Sequence, residues 1–183
     1  MRLFIAIELP EEMRAALHRT AMEIKRRAKR ASVAGEENYH LTLAFLGEVP
    51  ANRLREVRAA MDTVALGPFM VEPGKLGVFG SRGEALYWVG VRECGNPGAL
   101  GRIHEVLVKA LSARGFYVDQ KPFKPHITLA RRVQAEAPLD REALAAGLSN
   151  FHADVTQICL MKSERTSGGM MYTKLYVKKL EKP

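Results

Sequence analysis

Cysteine is scarce in this chain: Cys94 and Cys159 are the only two in 183 residues. They stand far apart and form no paired metal-ligand or redox motif, so the expectation is two unlinked thiols in a reducing compartment. Long apolar runs are also missing, and no segment approaches the roughly 20 residues of a membrane span. The opening MRLFIAIELPEE has only a brief apolar run before two glutamates and lacks a small-residue cleavage site, which argues against a signal peptide. A soluble, cytoplasmic protein with no membrane partner is expected. The phosphate loop G-x-x-x-x-G-K-[ST] is absent, so there is no sign of ATP use, and without G-x-S-x-G there is no serine nucleophile elbow. Acidic residues are outnumbered, 20 Asp+Glu against 28 Lys+Arg, for a formal charge of +8. That balance favours anionic partners without choosing among RNA, nucleotides and membrane phosphates.

The apolar residues, 47% of the chain, suffice for one core, shared by one domain or by two small lobes. Leu3 to Leu9 reads as a strand, and Pro10, Glu11 and Glu12 as the first turn of a helix whose apolar face is Met13, Leu17, Ala21, Ile24 and Ala28. The basic run on its other face, Lys25 to Arg30, reads as a solvated surface. Tyr39 to Phe45 alternates as a strand does, and Arg53 to Leu66 is helical. Phe69 to Val71, Lys75 to Phe79 and Ala85 to Val91 read as strands, with Ser81 to Gly83 as a hairpin connection. Leu100 to Leu111 is a helix closed by Gly115, Pro125 to Arg132 a strand, and Leu144 to Leu148 part of a helix starting near Asp140. Val155 to Met161 and Met171 to Val177 form a final hairpin with a longish loop. The order of elements repeats coarsely, as though two similar halves share one molecule.

Within that repeat a short phrase occurs twice, YHLTLAF from Tyr39 and PHITLAR from Pro125. Side chains alternate along a strand, so His40, Thr42 and Ala44 share one face while Leu41, Leu43 and Phe45 share the other. The same rule sets His126, Thr128 and Ala130 opposite Ile127 and Leu129. With Cα atoms roughly 6.6 Å apart, each imidazole and its hydroxyl can touch one tetrahedral anion. Histidine titrates near pH 6.5, so one copy can take a proton while another gives one, as displacement at phosphorus requires. The threonine hydroxyls would hold the non-bridging oxygens. Neither segment brings a carboxylate or thiol to the histidine face, so the pair is not read as a zinc site, and no metal or other cofactor is expected. A lone strand histidine is more often a core residue; His18, His104 and His152 lack a partner motif and are read so.

The paired motifs resemble those of the two-histidine phosphoesterase superfamily. RLFIAIELP at 2–10, HLTLAFLGEV at 40–49, PHITLAR at 125–131 and SERTSGGMMYTKL at 163–175 resemble the RNA 2′,3′-cyclic phosphodiesterases, also called 2′-5′ RNA ligases. The resemblance implies an α/β (α+β) bilobal fold, two pseudo-symmetric lobes of antiparallel sheet with outer helices around a central cleft, all within a single domain over residues 1–183. It implies hydrolysis of a 2′,3′-cyclic phosphate on RNA or a nucleotide to a 2′-phosphomonoester. His40 would be the proton donor and His126 the proton acceptor, with Thr42, Thr128 and Arg131 on the phosphate. The partners implied are RNA ends bearing the cyclic phosphate, tRNA fragments or cyclic nucleotides, met by a monomer. Two alternatives use the same residues: 2′-5′ ligation of RNA ends, and a non-catalytic RNA-end-binding module. Relatives commonly carry a tryptophan shortly before the first motif, where this chain has Ser32-Val33-Ala34. Tyr39, Phe45 and Phe123 are then the candidates for stacking on a base.

Overall fold

The computed structural model describes residues 1–80, 84–119, 121–135, 137–167 and 169–181. The expected connection at 81–83 lies outside them. Nine strands and four helices follow in the order β1 (Arg2–Glu8), α1 (Glu11–Arg27), β2 (Arg30–Val33), β3 (His40–Glu48), α2 (Leu54–Asp62), β4 (Phe69–Phe79), β5 (Ala85–Cys94), α3 (Ala99–Ser112), β6 (His126–Gln134), α4 (Arg141–Ala145), β7 (Ala153–Val155), β8 (Gln157–Thr166) and β9 (Gly169–Lys179). They build two antiparallel sheets, one ordered β3-β1-β8-β9 and the other β2-β6-β5-β4-β7. Each sheet therefore receives one of the two histidine strands.

The helices cross between the sheets. α1 leaves β1 of the first sheet but packs on β6 and β2 of the second, whereas α3 leaves β5 of the second and packs on β3 of the first. α1 buries Met13, Leu17, Ala21 and Ile24 of the face read from the sequence, while Ala28 stands just past the helix end in extended backbone. Its first turn carries Glu11 and Glu12 and its last Lys25, Arg26 and Arg27, a charge order that complements the helix dipole. Arg26 and Arg27 both hold Glu23, whose carboxyl is pulled down to about 2. The basic run is thus partly tied up on the helix surface. The buried side chains of both sheets form one contiguous cluster, including Leu41, Leu43, Ile127 and Leu129, each no more than 1% exposed. Burial of such a side chain is worth about 1.5–3 kcal/mol, so the two histidine strands are anchored from behind by the same core.

Four readings need correction. β4 is one strand from Phe69 to Phe79, not two: Pro73-Gly74-Lys75 makes a bulge, with the register slipping between Pro73 and Leu76. The final hairpin has almost no loop, since Thr166 already pairs with Gly169. β2 escaped notice because it is four residues long and only half-buried, and its register comes from β6. The helix near Asp140 is a single turn continued as a 3-10 turn over Ala146–Leu148. Asp140 does cap it, accepting from the Glu142 and Ala143 N–H groups. No helix among the described residues is long and apolar enough to cross a membrane.

Candidate active site

His40 and His126 each open a strand, and their surroundings repeat. The Nδ1 of His40 lies 2.7 Å from the carbonyl oxygen of Asn38, and the Nδ1 of His126 lies 2.7 Å from that of Lys124. A carbonyl can only accept, so in both neutral rings the proton sits on Nδ1 and Nε2 carries the lone pair. The backbone two residues before each histidine thereby selects its tautomer. Both side chains are half-buried. Burial holds the His40 pKa below its ordinary value, an effect that the Asn38 bond partly offsets and the nearby Arg131 charge reinforces.

Both strands break step at the same point. Ile5 pairs with Ala44 but Ala6 with Thr42, so Leu43 is an extra residue in β3. Tyr87 pairs with Ala130 but Trp88 with Thr128, so Leu129 is the extra residue in β6. A bulge of this kind re-aims the side chains beyond it. Strict alternation put Ala44 and Ala130 on the histidine face; the bulges bury them instead, at 4% and 1% exposure. Phe45 and Arg131, five residues after their histidines, are correspondingly exposed.

Arg131 joins the two halves. From β6 its Nη2 donates to Thr128 Oγ1 at 3.4 Å, and its charge bears on His40 and Tyr172 of the other sheet. β3 and β6 themselves lie against each other. Thr42 is half-buried two residues beyond His40 and opposite Ala6. The five residues singled out from the sequence thus sit on two adjoining strands, with the Arg131 charge on one acting on His40 of the other. Such a grouping can offer cationic and hydroxyl contacts to one phosphate while presenting two imidazoles of defined tautomer.

The aromatic surroundings were largely missed. Phe4 and Tyr172 flank His40, with ring centroids 4.7 and 5.2 Å away. Phe79 and Trp88 flank His126 at 5.7 and 5.8 Å, stack on each other at 4.8 Å, and lie under the Lys124 ammonium. Trp88 is the only tryptophan of the chain. Its place opposite Thr128 depends on strand pairing and leaves no mark in the local sequence. Of the three rings proposed for stacking, Tyr39 is buried beside His18 and Phe123 stacks on His104. Only Phe45 is open, 44% exposed with the Arg2 guanidinium 5.1 Å from its ring centre. His104, read as a core residue, proves structural in a specific way: its Nδ1 donates to the carbonyl of Leu43, the bulge residue of β3, at 2.8 Å. A pocket of about 360 Å³ adjoins His40, walled by Glu8, Glu37, Asn38, Met161 and Tyr172.

The chain and its fold are similar to known proteins. The chain is 38% identical over 144 residues to the RNA 2′,3′-cyclic phosphodiesterase of Geobacillus stearothermophilus, a match covering 77% of the chain and 45% of that longer protein. It is 34% identical to the protein of the same name from Thermus thermophilus, covering 96% of the chain and 88% of the relative. The fold superposes on Escherichia coli LigT complexed with 3′-AMP with a TM-score of 0.80 at 27% identity, covering 98% and 97% of the two chains. Two antiparallel sheets with four helices are therefore the expected two-histidine architecture. The model of the 2′-5′ RNA ligase superfamily matches residues 9–167, and the chain belongs to that superfamily.

Proposed function

We propose that this protein hydrolyses 2′,3′-cyclic phosphates at the ends of RNA or on nucleotides, leaving a 2′-phosphomonoester. The observation that carries the reading is the pair of imidazoles whose Nδ1–H groups are both committed to carbonyls two residues upstream. Two Nε2 atoms are then available as acid and base, one for each side of an in-line displacement. In this scheme His126 takes a proton from the attacking water as the new P–O bond forms. His40 gives its proton to the 3′ oxygen as the P–O3′ bond breaks. Thr42, Thr128 and Arg131 hold the non-bridging oxygens as charge shifts among them. Phe45 is the open ring on which the terminal base can stack.

The relatives' shared name, RNA 2′,3′-cyclic phosphodiesterase, supports hydrolysis over ligation. The reaction as proposed needs neither ATP nor a metal, and the chain acts as a single-domain monomer in the cytoplasm. The test is a short RNA ending in a 2′,3′-cyclic phosphate, incubated with chelator and without ATP, with His40→Ala and His126→Ala alongside. A 2′-phosphate terminus that forms with the wild-type chain and is lost in both variants supports the scheme. Binding without turnover would make the cleft a phosphate-recognition site and overturn it.

A further inference from the structure

The second sheet carries another group of reactive side chains, away from the histidine strands. Glu72 lies on β4, Cys94 ends β5, and His152 immediately precedes β7. β4 runs between the other two: Glu72 pairs with Arg92 and Met70 with Cys94, while Val71 pairs with Ala153. His152 is therefore beside Glu72 on one flank and Cys94 diagonal to it on the other, the spacing at which side chains on adjacent strands meet. The Glu72 carboxylate, the Cys94 thiol and a His152 ring nitrogen all lie within 4.8 Å of one another, the one such trio among the described residues.

We propose that these three side chains form a site for a divalent transition metal of the zinc class, with a solvent molecule in the fourth position. Zinc with bonds of about 2.0–2.3 Å places tetrahedral ligand atoms roughly 3.3–3.8 Å apart, so closing this group takes side-chain shifts of only about 1 Å. One edge is already set, with His152 Nδ1 at 3.6 Å from Glu72 Oε2. The other carboxylate oxygen, Oε1, is held by Arg92 at 2.7 Å. This orients Glu72 and leaves Oε2 aimed at the site, the arrangement expected of an outer partner. A thiol, an imidazole and one carboxylate suit zinc or cobalt, and a single carboxylate is too few oxygens for calcium or magnesium. The ligands come from three strands far apart in sequence, so no C-x-x-C or H-x-x-x-H spacing announces them.

The site is distinct from the phosphate-binding strands. His126 pairs with Gly90, and Cys94 lies four residues further along β5, about 13 Å at the usual rise per residue. The metal would tie β5, β4 and β7 together rather than enter the phosphodiester chemistry.

Cobalt(II) is the probe, titrated into the full chain under non-thiol reducing conditions. The wild-type chain is expected to develop a near-ultraviolet thiolate-to-cobalt charge-transfer band and the intense visible bands of a tetrahedral ion, saturating at one equivalent. Cys94→Ser abolishes the charge-transfer band, and His152→Ala weakens binding by at least about tenfold. Zinc displaces the cobalt and raises the melting temperature of the wild type but not of Cys94→Ser. Both variants keep the far-ultraviolet circular dichroism and RNA-end activity of the metal-free wild type, which shows that they fold. Absence of the band in the wild type, or its survival in Cys94→Ser, overturns the proposal and leaves Arg92, Glu72 and His152 as a surface charge network.

Discussion

Gly77 on β4 lies opposite Trp88 on β5, and the ring lies flat across it. A Cβ placed on Gly77 would stand 2.1 Å from Trp88 Cζ2, 2.4 Å from Cε2 and 2.5 Å from Cη2. Carbon atoms pack best at about 3.5–4.0 Å, so Gly77→Ala forces the indole to retreat by more than about 1 Å. The ring is not free to do so cheaply, because Phe79 stacks on it at 4.8 Å and His126 meets it at 5.8 Å. Overpacking of this kind costs about 1–3 kcal/mol of stability. A displacement of about 1 Å passed on to a reacting group can cost on the order of 100-fold in rate. We therefore expect Gly77→Ala to remain folded while kcat on a cyclic-phosphate RNA falls between about 10-fold and 100-fold. Trp88 is the sole tryptophan, so its emission maximum reports the same displacement without labelling. Gly90→Ala supplies the internal standard: its Cβ would meet Lys75 O at 3.5 Å and Trp88 Cζ3 at 3.6 Å, ordinary contacts that should leave both readouts near wild type. If Gly77→Ala shifts the emission but turns over within about twofold of wild type, the indole is not what seats His126.

Four further measurements probe other links. Arg131→Met should weaken kcat/KM by about 10-fold to 150-fold, the value of a charge-assisted contact to phosphate, and steady-state kinetics on the same RNA read it. The same variant removes a positive charge that lowers the His40 pKa, so the limb of the kcat/KM profile set by His40 should move to higher pH; a profile with neither limb displaced would show that His40 does not titrate in the reaction. For stability the sign runs the other way from a salt-bridged histidine. The folded His40 resists protonation, so its contribution is present above the unfolded value of 6.5 and is lost as pH falls through the lower folded value; denaturant titrations of wild type and His40→Asn across that window should converge at acid pH. His104→Leu strips the donor from the Leu43 carbonyl, which should cost about 1–3 kcal/mol in urea unfolding and lower turnover as the β3 bulge loosens.

The sequence displayed the apolar half of this protein plainly. Leu41, Leu43, Ile127 and Leu129 were assigned to the core by alternation alone, and all four are buried. The α1 face was equally legible, because a 3.6-residue period depends only on the helix itself. Alternation failed where a strand's phase depends on its partner. Ala44, Ala130 and Phe45 landed on the wrong faces because one extra residue in each histidine strand resets the period, and neither LTLAF nor ITLAR announces the slip. The same holds for Trp88 and Tyr172, whose closeness to the histidines is a property of sheet order. Arg131 was placed on the phosphate; by strict alternation it would have faced the core with Ile127 and Leu129, and the bulge is what turns it outward.

That bulge also gives the molecule a direction. Two histidine strands related by a near repeat would build a cleft with interchangeable ends, able to accept a substrate either way round. The fifth residue after each histidine ends that equivalence, being a flat hydrocarbon ring at Phe45 and a guanidinium at Arg131, both turned outward by the same one-residue slip. A nucleotide is itself lopsided, with an aromatic base at one end and an anion at the other. For the nucleotide substrate proposed above, the paired strands therefore have a head and a tail, and exchanging the two residues, Phe45→Arg with Arg131→Phe, should reverse which end of the substrate each strand prefers.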